Sequence, residues 1–82
     1  MTTIEYTDEN GMQIGVKTCG AGYMDDAFAV YVKDRDGKWV EVFFNPCYIS
    51  CEYEPDDDML KELAEEILTY SEEYAAILAG TL

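Results

Sequence analysis

The chain has 82 residues, 18 of them acidic against 5 basic and none histidine, for a net charge of −13. That balance excludes a protein that grips the phosphates of DNA or RNA, and it disfavours an anionic membrane surface, because like charges repel. Apolar residues still make up 49% of the chain, so it is no disordered acidic tail, and its length fits one small domain over residues 1–82.

The first residues carry no basic stretch followed by an apolar run, so neither a signal peptide nor a membrane span is expected. Cys19, Cys47 and Cys51 are an odd set, which points to reduced thiols in a cytoplasm. Residues 2–7 alternate, with Ile4 and Tyr6 on one side. Asp8-Glu9-Asn10-Gly11 ends in Asn-Gly, a strong short-hairpin signal. Residues 12–18 alternate again through Met12, Ile14 and Val16, completing a first β-hairpin.

Cys19 to Asp26, with Gly20 and Gly22, reads as a loop. Residues 27–33 form a third strand with Phe28, Val30 and Val32 on one face and Ala29 and Tyr31 on the other. Asp34-Arg35-Asp36-Gly37-Lys38 is a turn with a glycine for positive φ. Residues 39–44 form a fourth strand, and Asn45-Pro46 interrupts it. Residues 47–53 can add a short fifth strand.

Asp56 to Leu82 is the strongly periodic segment and reads as one helix over 57–79. Leu60, Leu63, Ala64, Ile67, Leu68, Ser71, Tyr74, Ala75 and Leu78 fall on one stripe. Glu62, Glu65, Glu66, Glu72 and Glu73 fall opposite. Asp56, Asp57 and Asp58 supply an N-cap and favourable charge for the first turn, and Gly80 supplies a C-cap. The fold expected is therefore α+β: an antiparallel sheet of four to five strands, made of two β-hairpins plus a short strand, with one C-terminal amphipathic helix packed on one face. Ile14, Val16, Phe28, Val30, Val32, Val40, Val42, Phe44 and Ile49 would face the helix. Tyr31, Trp39, Phe43 and Tyr48 would face away, either covered by the N-terminal hairpin or offered to a partner.

No catalytic set emerges. Tyr23-Met24-Asp25-Asp26 spells the metal-binding tetrapeptide of reverse transcriptases, but the chain is too short for a polymerase palm. Asp34-Arg35-Asp36-Gly37 opens like an EF-hand loop and then runs into strand residues, without the later ligands. Cys47 and Cys51 would lie about 13 Å apart on an extended strand, with no fourth ligand for zinc. Without histidine, nothing activates a serine or cysteine nucleophile. Neither an enzyme nor a cofactor or metal site is expected.

Charge is unevenly spread. Residues 45–82 carry ten acids and one base, whereas residues 28–44 carry three of each. Carboxylates from Glu62 to Glu66 and from Glu65 to Glu72 would repeat at about 6 and 10 Å along a helix rising 1.5 Å per residue. This combination of small size, strong acidity, α+β composition and no catalytic set resembles the acidic proteins that phages and mobile elements use against bacterial defence, namely anti-CRISPR proteins and antirestriction DNA mimics. The resemblance is one of class and rests on no shared motif. It implies a non-enzymatic inhibitor that occupies the nucleic-acid site of a basic protein such as a Cas effector in the bacterial host cytoplasm. The contacts would come from Asp56, Asp57, Asp58, Glu62, Glu65, Glu66, Glu72 and Glu73, with anchors from Tyr31, Trp39, Phe43 and Tyr48. The competing expectation is an adaptor domain, possible as a homodimer through the aromatic sheet face, whose acidity serves only solubility.

Overall fold

Two turns of the same design set the sheet. A computed structural model describes residues 2–20, 25–50 and 56–80. Strands β1 (Thr2–Thr7), β2 (Gln13–Gly20), β3 (Asp25–Lys33) and β4 (Trp39–Ser50) form one antiparallel sheet in the order β1-β2-β3-β4. Between β1 and β2 the Asp8 carboxylate accepts the backbone N–H groups of Asn10 at 3.0 Å and Met12 at 2.9 Å, and Gly11 sits at φ 80°. Between β3 and β4 the Asp34 carboxylate accepts those of Asp36 and Lys38, both at 2.9 Å, and Gly37 sits at φ 81°. Each aspartate thus locks an Asp-x-(Asn/Asp)-Gly-x loop that ends in the left-handed glycine which such hairpins need. The Asp34 carboxylate is committed to its own backbone, so the EF-hand-like spelling is a turn.

The fourth strand departs from expectation. It does not stop at Asn45-Pro46, and no separate fifth strand follows among the described residues: β4 runs through to Ser50. Phe28 pairs with Asn45 and Asp26 with Ile49, so Pro46 falls in an irregular stretch of an edge strand, where a missing N–H is tolerated. A second irregularity has more effect. Val30 pairs with Phe43 and Tyr31 with Glu41, which leaves Val42 as an extra residue. A one-residue bulge reverses which face every later side chain takes. Phe43, expected on the outer face, therefore turns inward and meets Phe28 edge-to-face at 6.1 Å between ring centroids. Phe44, expected inward, is 56% exposed.

The helical segment is two helices, not one: α1 (Asp57–Thr69) and α2 (Glu72–Ala79). Asp56 caps α1 by accepting from the Met59 N–H at 2.8 Å. At the far end the N–H groups of Tyr70 and Ser71 close short turns onto the carbonyls of Ile67 and Leu68. Ser71 then takes an extended backbone, and its hydroxyl caps α2 by accepting from the Tyr74 N–H at 3.1 Å. Glu72 and Glu73 follow, as Asp57 and Asp58 follow Asp56, each pair favourable at a helix N-terminus. The break changes the helical phase. Tyr74 and Ile77 are buried, whereas Ala75 and Leu78, expected in the stripe, are exposed.

Both helices lie on one face of the sheet. The core joins Ile14, Val16, Phe28, Val30 and Val32 to Leu60, Ala64, Leu68, Tyr74 and Ile77, with Ile4, Tyr6, Val40, Phe43 and Ile67 packed around it. The hairpin β1–β2 extends the sheet sideways through pairs such as Ile4 with Val16 and Ile14 with Val32. It does not fold over the outer face.

Candidate functional site

Most of the predicted acidic residues stand where the sequence puts them. Asp56, Asp57, Asp58, Glu62, Glu66, Glu72 and Glu73 are exposed on the helical layer. Glu65 is the exception. It is half-buried and faces Tyr6 and Asp8, and its carboxyl is held above the ordinary range, chiefly by burial and then by the Asp8 charge. Four of the five bases are engaged elsewhere. Lys17 lies 5.1 Å from the Tyr31 ring centre, Lys33 5.5 Å from Trp39 and Lys61 5.0 Å from Tyr6, while the Arg35 guanidinium fills the space beside Gly80. Lysines placed over rings in this way draw on the negative π-face. Among the described residues, these contacts draw the cations away from the outer carboxylates of the helices.

A clasp fixes where α2 sits. The Tyr74 hydroxyl donates to the Asp8 carboxylate in a short bond and accepts from the Asn10 side-chain amide at 2.9 Å. Asp8 therefore serves the turn with one oxygen and the helix with the other. The Tyr74 hydroxyl is pushed up to about 12, first by burial and then by the bond to Asp8. Beside the clasp the buried Tyr6 hydroxyl makes no hydrogen bond of ordinary geometry and faces the Glu65 carboxylate; burial, then Glu65, pushes it upward.

The break between the helices and the bulge in β4 together open a groove of about 530 Å³. Its apolar wall is Val42, Phe43 and Ile67; Tyr70, 83% exposed, stands at the lip; Glu66, Ser71, Glu72 and Glu73 complete the lining. The groove gathers Phe43 with three of the predicted acids, although the sequence assigned them to opposite layers. Tyr70 and Ile67 were missed as site residues. The available signal was Ser71-Glu72-Glu73, which repeats the cap-plus-two-acids pattern of Asp56-Asp57-Asp58 and marks a second helix start.

The remaining predicted aromatics do not join them. Tyr31 and Trp39 lie on the sheet face opposite the helices, with Glu5, Gly15 and Lys17 around a shallow hollow of about 210 Å³. Tyr31 donates to Glu41 at 3.1 Å. Trp39 lies against Gly15, 3.3 Å from where a Cβ would stand there, and is still 39% exposed. Tyr48 is placed on β4 by its backbone, and its side chain lies outside those described, as do the side chains of Cys19 and Cys47. Tyr23, Met24 and Cys51 lie outside the described residues.

Nothing among protein-family models, curated proteins or solved structures matches this chain. Among the described residues, no group of three or more Cys, Asp or Glu is placed to hold a metal ion, and no helix is long and apolar enough to cross a membrane. The described site offers carboxylates, aromatic rings and an apolar wall. That is the equipment of a binding surface for cationic groups.

Proposed function

We propose that this protein is a non-enzymatic inhibitor that covers the nucleic-acid-binding site of a basic protein, with a CRISPR-Cas effector as the leading candidate. The observation that carries this reading is the helical layer, on which Asp57, Asp58, Glu62, Glu66, Glu72 and Glu73 are exposed together while the bases are drawn to the sheet, the turns and Tyr6. Effectors hold their nucleic acid in positively charged channels. A rigid carboxylate surface competes for such a channel at little entropic cost. The break at Ser71 modifies the expected shape: the carboxylates form a row on α1 and a cluster at the elbow, not one straight rod.

The test is binding to a CRISPR effector nuclease in competition with target DNA. The variant is Asp58→Lys with Glu62→Lys and Glu66→Lys, which moves the net charge from −13 by about six units, two per reversal. Wild type should compete with DNA and weaken steeply with salt, and the reversal should slow association. Simultaneous binding of DNA and this protein, or indifference to the reversal, would refute the proposal. A second reading has its own observation. The sheet face opposite the helices exposes Trp39 and Phe44 beside Lys17, Lys33, Glu5 and Glu41, a nearly neutral patch suited to a homodimeric adaptor. Dimerisation abolished by Trp39→Ala, with no effect of the α1 reversal on any partner, would favour it.

A further inference from the structure

We infer that the groove at the α1–α2 elbow is the point where an arginine-bearing segment of the protein partner is seated. The inference rests on the proposed inhibitory role and names the contact through which it acts. Val42, Phe43 and Ile67 form an apolar wall, while Tyr70 holds its ring out at the lip, 83% exposed. Glu66, Glu72 and Glu73 line the same space. An apolar wall, one aromatic face and three carboxylates together suit a side chain with an apolar stem and a cationic head. The volume, about 530 Å³, lies within the roughly 300–1,000 Å³ of ordinary ligand pockets and admits more than one side chain.

The chain already uses the same chemistry internally, with Lys17, Lys33 and Lys61 each over an aromatic ring. Arginine fits the elbow better than lysine. Its planar guanidinium stacks on a ring and pairs with a carboxylate through two parallel hydrogen bonds, and it sheds water more readily. A nucleic acid is the wrong occupant, since it would bring phosphates to carboxylates. A second copy is also unfavourable, because at −13 per chain it would set acid against acid.

The experiment uses the intact protein and labelled oligo-arginine and oligo-lysine peptides of equal length, with binding followed by fluorescence anisotropy. The arginine peptide should bind more tightly. Tyr70→Ala should weaken it roughly two- to fivefold, the range of one exposed cation–π contact, and should erase the preference for arginine. Tyr70→Phe should retain both. Glu72→Gln with Glu73→Gln should weaken binding more than Asp57→Asn with Asp58→Asn, although each pair removes the same charge. Because Tyr70 is exposed, these comparisons do not depend on refolding the core, and circular dichroism checks that they do not. Equal losses from the two acid pairs, with Tyr70→Ala silent, would overturn the groove and leave the diffuse acidic surface standing. Failure of every peptide to bind would overturn both. Self-association that Tyr70→Ala abolishes, read by sedimentation, would assign the groove to a second copy and also overturn the inference.

Discussion

Replacing Tyr74 by Phe removes one oxygen from the clasp that joins α2 to the first turn. In the wild type that oxygen donates to the Asp8 carboxylate and accepts from Asn10 at 2.9 Å. A hydrogen bond to a charged group contributes about 1.5–3 kcal/mol. The lower part of that range applies here, because Asp8 keeps its bonds from the Asn10 and Met12 backbone and exposed Asn10 can turn to water. A loss of about 1.5–2 kcal/mol lowers the melting temperature of a domain this size by roughly 6–16 °C, at about 4–8 °C per kcal/mol. Thermal melting followed by circular dichroism at neutral pH measures it. The alkaline side gives an independent signature. The folded chain holds the Tyr74 proton up to about 12, against 10.0 for a free tyrosine. The associated stability is therefore complete below the free value and is lost as pH rises through about 12. Tyr6 is shifted in the same direction and adds its own alkaline loss in both proteins. The difference between wild type and Tyr74→Phe reports Tyr74 together with its smaller effect on Tyr6, and the variant should lose less stability over that window. A variant that melts within about 0.5 kcal/mol of wild type, with an unchanged alkaline limb, would refute the clasp.

Two further outcomes test the placement of the core. Leu60 is fully buried, so Leu60→Ala should cost about 2–5 kcal/mol, while Ile67→Ala, on the wall of the groove and half-buried, should cost clearly less; chemical denaturation ranks them, and the reverse order would mean that α1 is rotated. The bulge at Val42 predicts that Phe43→Ala costs about 2 kcal/mol, roughly half the loss for a fully buried phenylalanine, while Phe44→Ala stays within about 0.5 kcal/mol; equal costs would place the two rings on the same footing and remove the bulge.

Most of the fold was legible because it follows from alternation, and alternation survives wherever pairing is regular. Ile14, Val16, Phe28, Val30 and Val32 read as one face and are buried together. The turns were legible because an aspartate and a glycine at fixed offsets leave the backbone few choices. The errors begin where the pattern is interrupted without a conspicuous breaker. Val42 lies among Val40, Phe43 and Phe44, all suited to a strand, so nothing in residue type marks it as the extra one. Its register is set by what β3 presents opposite, which is tertiary information. Ser71 fits a helical stripe by size and by spacing, and a serine inside a helix is tolerated. Only its hydroxyl bond to the Tyr74 N–H, with two acids behind it, makes it a cap. Proline at position 46 misled in the other direction. It reads as a stop, yet an edge strand with an irregular register absorbs it.

The two features that the pattern hides are the ones that build the groove. With regular pairing, Phe43 would point away from the helices. With an unbroken helix, Glu72 and Glu73 would continue the row of Glu62 and Glu66 along a rod. The bulge brings Phe43 round to the helical side, and the break turns Glu72 and Glu73 back towards it, with Tyr70 left at the lip. Gathering Glu66, Glu72 and Glu73 into one space opposes folding, since like charges repel. Their attraction to the α2 N-terminus offsets part of that cost, and the Tyr74–Asp8 bond holds the arrangement from the other side of α2. A cation entering the groove would relieve the remaining repulsion. Binding and stability are therefore coupled at the elbow: a partner that seats a guanidinium there should raise the melting temperature of wild type, and it should raise that of Glu72→Gln with Glu73→Gln by less.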